Sequence, residues 1–234
     1  MRVDSVKQAR KSTPDLMLAA LHGFLVARDA AFNLRDLLVN PSSMAFLAVK
    51  DCEKELDKLE RRMDEEVPET LTRAPRSDVR ANLAALKLTT DLERIGDLIF
   101  WVAQSVRACQ PRLSHHDSQP LVEMTALLES MLGQLHIGFM ERDLKVARSV
   151  LNSDSKMDQL RHSVFQRHLE HGNPQDATRS INVLLMVQSL ERAGDHVKNL
   201  AEELFHVVEG HSLRHAPARQ REREFAAAGK PGAP

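Results

Sequence analysis

Between Gln188 and Glu202 the chain sets oxygen-bearing side chains at every third or fourth position: Gln188, Glu191, Asp195, Asn199 and Glu202. On a helix turning about 100° per residue, that spacing gathers them into one row on one face. A matching line, Thr90, Glu93, Asp97, Trp101 and Gln104, occurs earlier, with fewer oxygens in its later half. Further acidic pairs stand at Glu53 and Asp57, continued by Glu60 and Asp64, and at Asp154 and Asp158. Carboxylates four apart on a helix lie about 6 Å from one another and repel, by a few tenths of a kcal/mol when exposed and by more where water is excluded. Something has to offset that repulsion: Arg94, Arg192, a bound proton, or a divalent or trivalent cation. Oxygen donors with almost no His or Cys suit hard cations, Mg²⁺, Mn²⁺, Ca²⁺ or Fe³⁺, over Zn²⁺. A charged helix face is more often simply solvated, with Glu–Arg neighbours worth less than about 1 kcal/mol. Two features count against that plainer reading. The row occurs twice, and each time a glycine, Gly96 or Gly194, stands one residue before the Asp. Glycine inside a helix costs about 1 kcal/mol relative to Ala, and its expected compensation is close approach of a neighbouring backbone.

These rows need long helices to position them. The 234 residues are 42% hydrophobic and 28% charged, enough for one substantial core or two small ones. Aromatics make up only 4%, Tyr is absent, and Leu, Ala, Glu, Arg and Val dominate, which favours helices over strands. Pro, Gly and polar punctuation divide the chain into six helical patterns. The first spans 14–39, with Thr13 as cap and Pro14 at its first position. The second spans 43–67 and closes at Pro68. The third starts after a cap at Ser77 or Asp78 and runs to Cys109. The fourth spans 120–140 and opens on Pro120. A short turn at 141–143 leads to the fifth, which ends near His171. The sixth spans 175–209 and is capped by Gly210. Within the sixth, Val183, Val187, Leu190, Gly194, Val197, Ala201, Leu204 and Val208 form the apolar stripe.

The two halves repeat. At an offset of 98 residues Asp78 pairs with Asp176, Leu92 with Leu190, Glu93 with Glu191, Arg94 with Arg192, Gly96 with Gly194 and Asp97 with Asp195. The expected architecture is therefore all-α: two tandem three-helix bundles related by internal repeat. The domains are an N-terminal extension (1–13), a first bundle (14–109), a linker (110–119), a second bundle (120–211) and a mobile tail (212–234). If the second helix packs on the third and the fifth on the sixth, each bundle brings four or more carboxyl groups together.

Other chemistries lack their usual elements. Cys52 and Cys109 show no zinc spacing and read as reduced residues of a cytoplasmic protein. The longest apolar run, 98–103, is far short of the roughly 20 residues of a membrane span, and the N-terminus lacks a signal-peptide core. A net charge of -1 and a charge-balanced tail (Arg219, Arg221 and Arg223 against Glu222 and Glu224) argue against nucleic acid as a partner. There is no Walker A, GxGxxG or GxSxG segment. Glu203 and His206 form a single ExxH, where a ferritin-like di-iron site needs two. His115, His116 and Asp117 fall in the expected linker and read as exposed. The chain is expected not to be an enzyme.

The segments TDLERIGDLIFWVAQ (90–104) and QSLERAGDHVKNLAEELFHVVEG (188–210) resemble the two signature segments of the PhoU family, and PRSDVRANLAALKLTTDLERIGD resembles the lead-in to the first. Order, spacing and length agree over residues 14–211. The resemblance implies a cytoplasmic regulator of phosphate uptake and of phosphate-starvation signalling. Its implied partners are a phosphate transporter at the inner membrane and a sensor histidine kinase. It also implies iron or other metal clusters held by pairs of the form Glu or Asp, three residues, Asp. Matched residue by residue, those pairs are Glu53 and Asp57, Glu93 and Asp97, Asp154 and Asp158, and Glu191 and Asp195, with Asn199 following the last. Two alternatives stay open, an accessory subunit of a low-affinity phosphate permease and a ferritin-like iron handler; homodimerisation is open as well.

Overall fold

The computed structural model describes residues 2–109, 113–171 and 177–210; of these, the side chains of residues 2–15 and of Arg73, Arg76, Ser77, Asp154 and His171 lie outside the description. All regular structure among the described residues is helical: α1 (Arg2–Val39), α2 (Ser43–Arg73), α3 (Arg76–Ala108), α4 (His115–Glu141), α5 (Leu144–His171) and α6 (Ala177–Glu209). The expected tail at 212–234 falls outside the described residues. No described helix is long and apolar enough to cross a membrane.

Punctuation placed several helix ends differently from the structure. α1 does not begin at Thr13-Pro14 but runs through Pro14 from Arg2. α2 does not stop at Pro68 but carries it inside and ends at Arg73, capped by Ala74, whose N–H bonds to the Thr70 carbonyl at 2.8 Å. The hydrogen bond lost at Pro68 is outweighed there by packing, because Val67 and Thr70 on either side are buried. α3 is capped by neither Ser77 nor Asp78: Pro75 occupies the cap position without a side-chain bond, and Asp78 sits in the first turn. α4 begins at His115 instead of Pro120, so the second half of the expected linker, 115–119, is helix. Ser114 starts it, accepting the Asp117 N–H on its Oγ at 3.2 Å and donating to Asp117 Oδ2 at 2.7 Å. The turn after α4 has Arg142 in the left-handed region at φ 56°, and Gly210 closes α6 at φ 85°, its N–H reaching the His206 carbonyl at 3.0 Å.

The helices α1, α2 and α3 pack on one another, as do α4, α5 and α6. The two bundles meet along two seams, α1 on α4 and α3 on α6, which leaves α2 and α5 on the flanks. Each half alone leaves an apolar face on its first and third helices uncovered; pairing those faces merges both halves into one continuous core. Phe24 and Phe139 lie 5.3 Å apart between ring centres at the α1–α4 seam. On α6 the expected stripe from Val183 to Leu204 is buried, and Val208 is half-buried.

Candidate functional site: two acidic grooves

The first groove lies between α2 and α3. Leu56 covers Gly96 so closely that a β-carbon there would sit 2.5 Å from Leu56 Cδ1. The glycine thus accommodates a buried leucine side chain of α2, not the neighbouring backbone expected from the sequence. This contact draws α2 onto α3 and sets Glu53, Asp57 and Glu60 beside Glu93 and Asp97. Burial, then Asp97 and Glu60, push the Glu93 carboxyl up to about 7. Glu53 is raised by burial, then by Asp97 and Asp57; Glu60 is raised by burial and Asp64 against the opposing pull of Arg94. Glu93 Oε2 is buried without a hydrogen-bond partner. Arg94 supplies positive charge, 3.5 Å from Glu93 and 3.6 Å from Asp97, and Arg61 pairs with Asp57.

The second groove, between α5 and α6, is looser. Met157 occupies the place of Leu56, but its nearest atoms would lie 3.5 Å from a β-carbon at Gly194, so no close approach requires that glycine. Glu191 accepts a hydrogen bond from Gln188 at 2.7 Å and has Arg161 at 4.0 Å; Lys198 lies 2.6 Å from Asp195. Burial, Asp195 and Asp158 raise Glu191, against Arg161 and Lys198. The Asp154 side chain lies outside the described residues. Asn199 leaves the expected row: its amide donates to Asp91 Oδ1 on α3 at 3.2 Å. Arg161, from α5, was not anticipated as the neutralising cation; its place three residues after Asp158 in the same row was the available signal.

Among the described residues no group of three or more His, Cys, Asp or Glu side chains is arranged to hold a metal ion. The donor chemistry nonetheless fits a hard cation, with crowded carboxylates and one buried oxygen that accepts no hydrogen bond. Glu203 is not a lone ExxH ligand. Its carboxylate receives Lys87 of α3 at 3.2 Å and His206 at 3.1 Å, and with Asp91 and His196 (2.8 Å) it ties the two bundles along the α3–α6 seam. Asp117, expected on a loop, is buried, with Arg167, His168 and Arg179 at 3.3–3.4 Å, and holds the start of α4 against α5 and α6. Neither cluster was foreseen, because partners 50 or more residues away leave no local spacing.

The PhoU domain matches this chain twice, at residues 25–106 and 121–204. A phosphate-specific transport system accessory protein PhoU homolog from Pseudomonas aeruginosa is 27% identical over 183 residues, 76% of each chain. One from Xylella fastidiosa is 30% identical over 169 residues, 68% of this chain and 67% of that one. The crystal structure of PhoU from Pseudomonas aeruginosa superposes with a TM-score of 0.75 at 24% identity, covering 88% of this chain and 99% of that chain. The phosphate transport system regulatory protein PhoU from Streptococcus pneumoniae also gives 0.75, at 19% identity, covering 87% and 98%. Two domain matches that divide the chain where its two bundles divide, each with its own acidic groove, make this chain a member of the PhoU family.

Proposed function

We propose that this protein is a non-enzymatic accessory regulator of phosphate transport, acting from the cytoplasm by contact with a phosphate transporter at the inner membrane or with its sensor histidine kinase. Family membership and the names of its relatives support the transport role. The observation that carries the contact reading is the pair of acidic grooves at equivalent places in the two bundles, each holding more carboxylates than its neighbouring cations balance.

A hard cation such as Fe³⁺, Mg²⁺, Mn²⁺ or Ca²⁺ fits these grooves. Glu53, Asp57, Glu93 and Asp97 would hold it in the first, and Asp154, Asp158, Glu191 and Asp195 in the second. When bound it would supply positive charge that offsets the carboxylate repulsion and clamps the flanking helix to its neighbour. The chain's own residues do the rest: Leu56 over Gly96 fixes the spacing of α2 and α3, and Arg94 holds two carboxylates in place.

Deleting the gene should derepress phosphate uptake and the starvation response, and restoring the wild-type chain should reverse both. Normal phosphate control in the deletion strain, or purified protein that retains neither transporter nor kinase, refutes the reading. Elemental analysis of protein purified without chelators tests the cation: Glu93→Gln with Asp97→Asn should lower the metal content, and unchanged content refutes the assignment.

A further inference from the structure

A cavity of about 460 Å³ opens at one end of the molecule, where α1 turns into α2, α3 ends and α4 begins. Small-molecule sites usually measure about 300–1,000 Å³, so its size is that of a ligand pocket. Leu38, Val106 and Leu113 give it an apolar wall, and Arg107, His115 and Ser118 supply polar groups. Among the described residues no Asp or Glu lines it, so it shares nothing with the two acidic grooves.

Arg107 decides what the cavity can take. Its guanidinium carbon sits over the Phe46 ring, 4.2 Å from the ring centre, and among the described residues no carboxylate forms an ion pair with it. Stacking holds a guanidinium in place and leaves its fork of N–H donors for an oxyanion. The acidic side chains nearby are engaged elsewhere. Asp36 on α1 accepts from the Asn40 amide at 3.5 Å, and Asp51, two turns into α2, has Lys54 at 3.9 Å. Asp117, on the first turn of α4, is buried against Arg167, His168 and Arg179. The starts of α2 and α4, at Ser42 and Ser114, add the positive ends of two helix dipoles to the same region.

A second cavity, at the other end of the molecule, carries Arg80 and Arg142 but does not offer the same chemistry. Arg142 donates to the Val207 carbonyl at 3.4 Å and Arg80 lies against Gly210, so both guanidinium groups serve the C-terminal end of α6.

We infer that the cavity between the α1–α2 turn, the end of α3 and the start of α4 binds a small anion with an apolar body. Arg107 holds the oxyanion group at the rim, and the aliphatic part lies along Leu38, Val106 and Leu113. A bare inorganic ion would leave that apolar wall facing water, whereas an aliphatic body covers it. Phe46 is a positioning residue, acting through the guanidinium it carries. The site is separate from both grooves and independent of the transport reading.

The test uses the full chain with Cys52→Ser, so that Cys109, on the cavity wall, is the one thiol left. Hexyl phosphate is the probe. Calorimetry should report saturable binding, and maleimide labelling of Cys109 should slow as the probe fills the cavity. Inorganic phosphate, without the apolar part, and hexanol, without the charge, should each bind about tenfold more weakly or less well still. Arg107→Gln should weaken hexyl phosphate by about tenfold or more, and Arg107→Lys by less, since it keeps the charge and loses the fork. Phe46→Leu, which keeps an apolar side chain and removes the stack, should fall between the parent and Arg107→Gln. Arg142→Gln, at the other end, should change nothing. The inference is overturned by absent binding, by undiminished binding to Arg107→Gln, by equal affinity for inorganic phosphate, or by Cys109 labelling that the probe does not slow. Flotation with phosphatidylglycerol vesicles then separates two sources of the same chemistry. Flotation that Arg107→Gln abolishes assigns the anion to a lipid, and hexyl phosphate binding without flotation assigns it to a soluble molecule.

Discussion

The α2–α3 and α5–α6 grooves descend from the same pattern, ERxGD facing an acidic pair, yet they differ in how tightly they are built. In the first, a buried leucine lies against the glycine, and burial and neighbouring carboxylates lift Glu93 to about 7 even with Arg94 3.5 Å away. In the second, a methionine leaves ordinary van der Waals space, and Arg161, Lys198 and Gln188 supply partners from both helices. The sequence pointed the other way: the α6 row is richer in oxygen, with Asn199 where α3 has Trp101. Helix spacing and the identity of facing residues outweigh the number of oxygens on one helix, because repulsion grows as water is removed and falls when a cation sits within a few ångströms.

The largest test of this contrast is at the two glycines. Gly96→Ala should destabilise the chain by about 1–3 kcal/mol, since its β-carbon would require buried Leu56 to move. Gly194→Ala should be neutral or stabilising by up to about 1 kcal/mol, through helix propensity and the flexible methionine beside it. Urea unfolding of both variants checks this; equal losses would show the grooves to be equally tight.

Next comes cation binding. At a hundredfold excess over its dissociation constant a cation that binds only the folded chain adds about 2.7 kcal/mol. Thermal unfolding should show that increment reduced more by Glu53→Gln with Asp97→Asn than by Glu191→Ala with Asp195→Ala. The reverse order would make the second groove the stronger site.

The pH dependence sharpens the same comparison. The Glu93 carboxyl ordinarily titrates near 4.5 and is raised to about 7 when folded, so the folded chain holds a proton through that window which the unfolded chain has released. Its contribution is fully present below pH 4.5 and is lost as the pH rises through 7. Chelated protein should therefore unfold more readily at pH 7.5 than at pH 5. Glu93→Gln should flatten that slope, and Glu191→Gln should flatten it less. A slope that Glu93→Gln leaves intact would place the titration elsewhere.

The smallest effect is at Asn199. Its amide serves the seam through Asp91, so Asn199→Ala should leave the metal content of the protein unchanged and cost about 1 kcal/mol for the lost hydrogen bond. Loss of metal on that substitution would return Asn199 to the second groove.

Local repetition encodes the part of this architecture that can be read from residue order alone. The three-and-four spacing of Val183 to Leu204 predicts the buried face of α6, the 98-residue offset predicts two equivalent bundles, and the paired acids predict carboxylate rows along α2–α3 and α5–α6. Helix ends were less legible. Pro14, Pro68 and Pro120 read as boundaries and all proved internal, because a single lost hydrogen bond is a local cost that packing along the rest of a long helix can exceed. Which helices join the halves, that the Asn199 amide donates to Asp91, that Glu203 answers Lys87, and that Asp117 is enclosed by two arginines and a histidine all come from the three-dimensional packing. Those contacts link residues 50 to more than 100 positions apart, and the balance of charge in each groove depends on which distant side chain arrives within a few ångströms. A helix periodicity records which face is buried, but it does not say what that face meets.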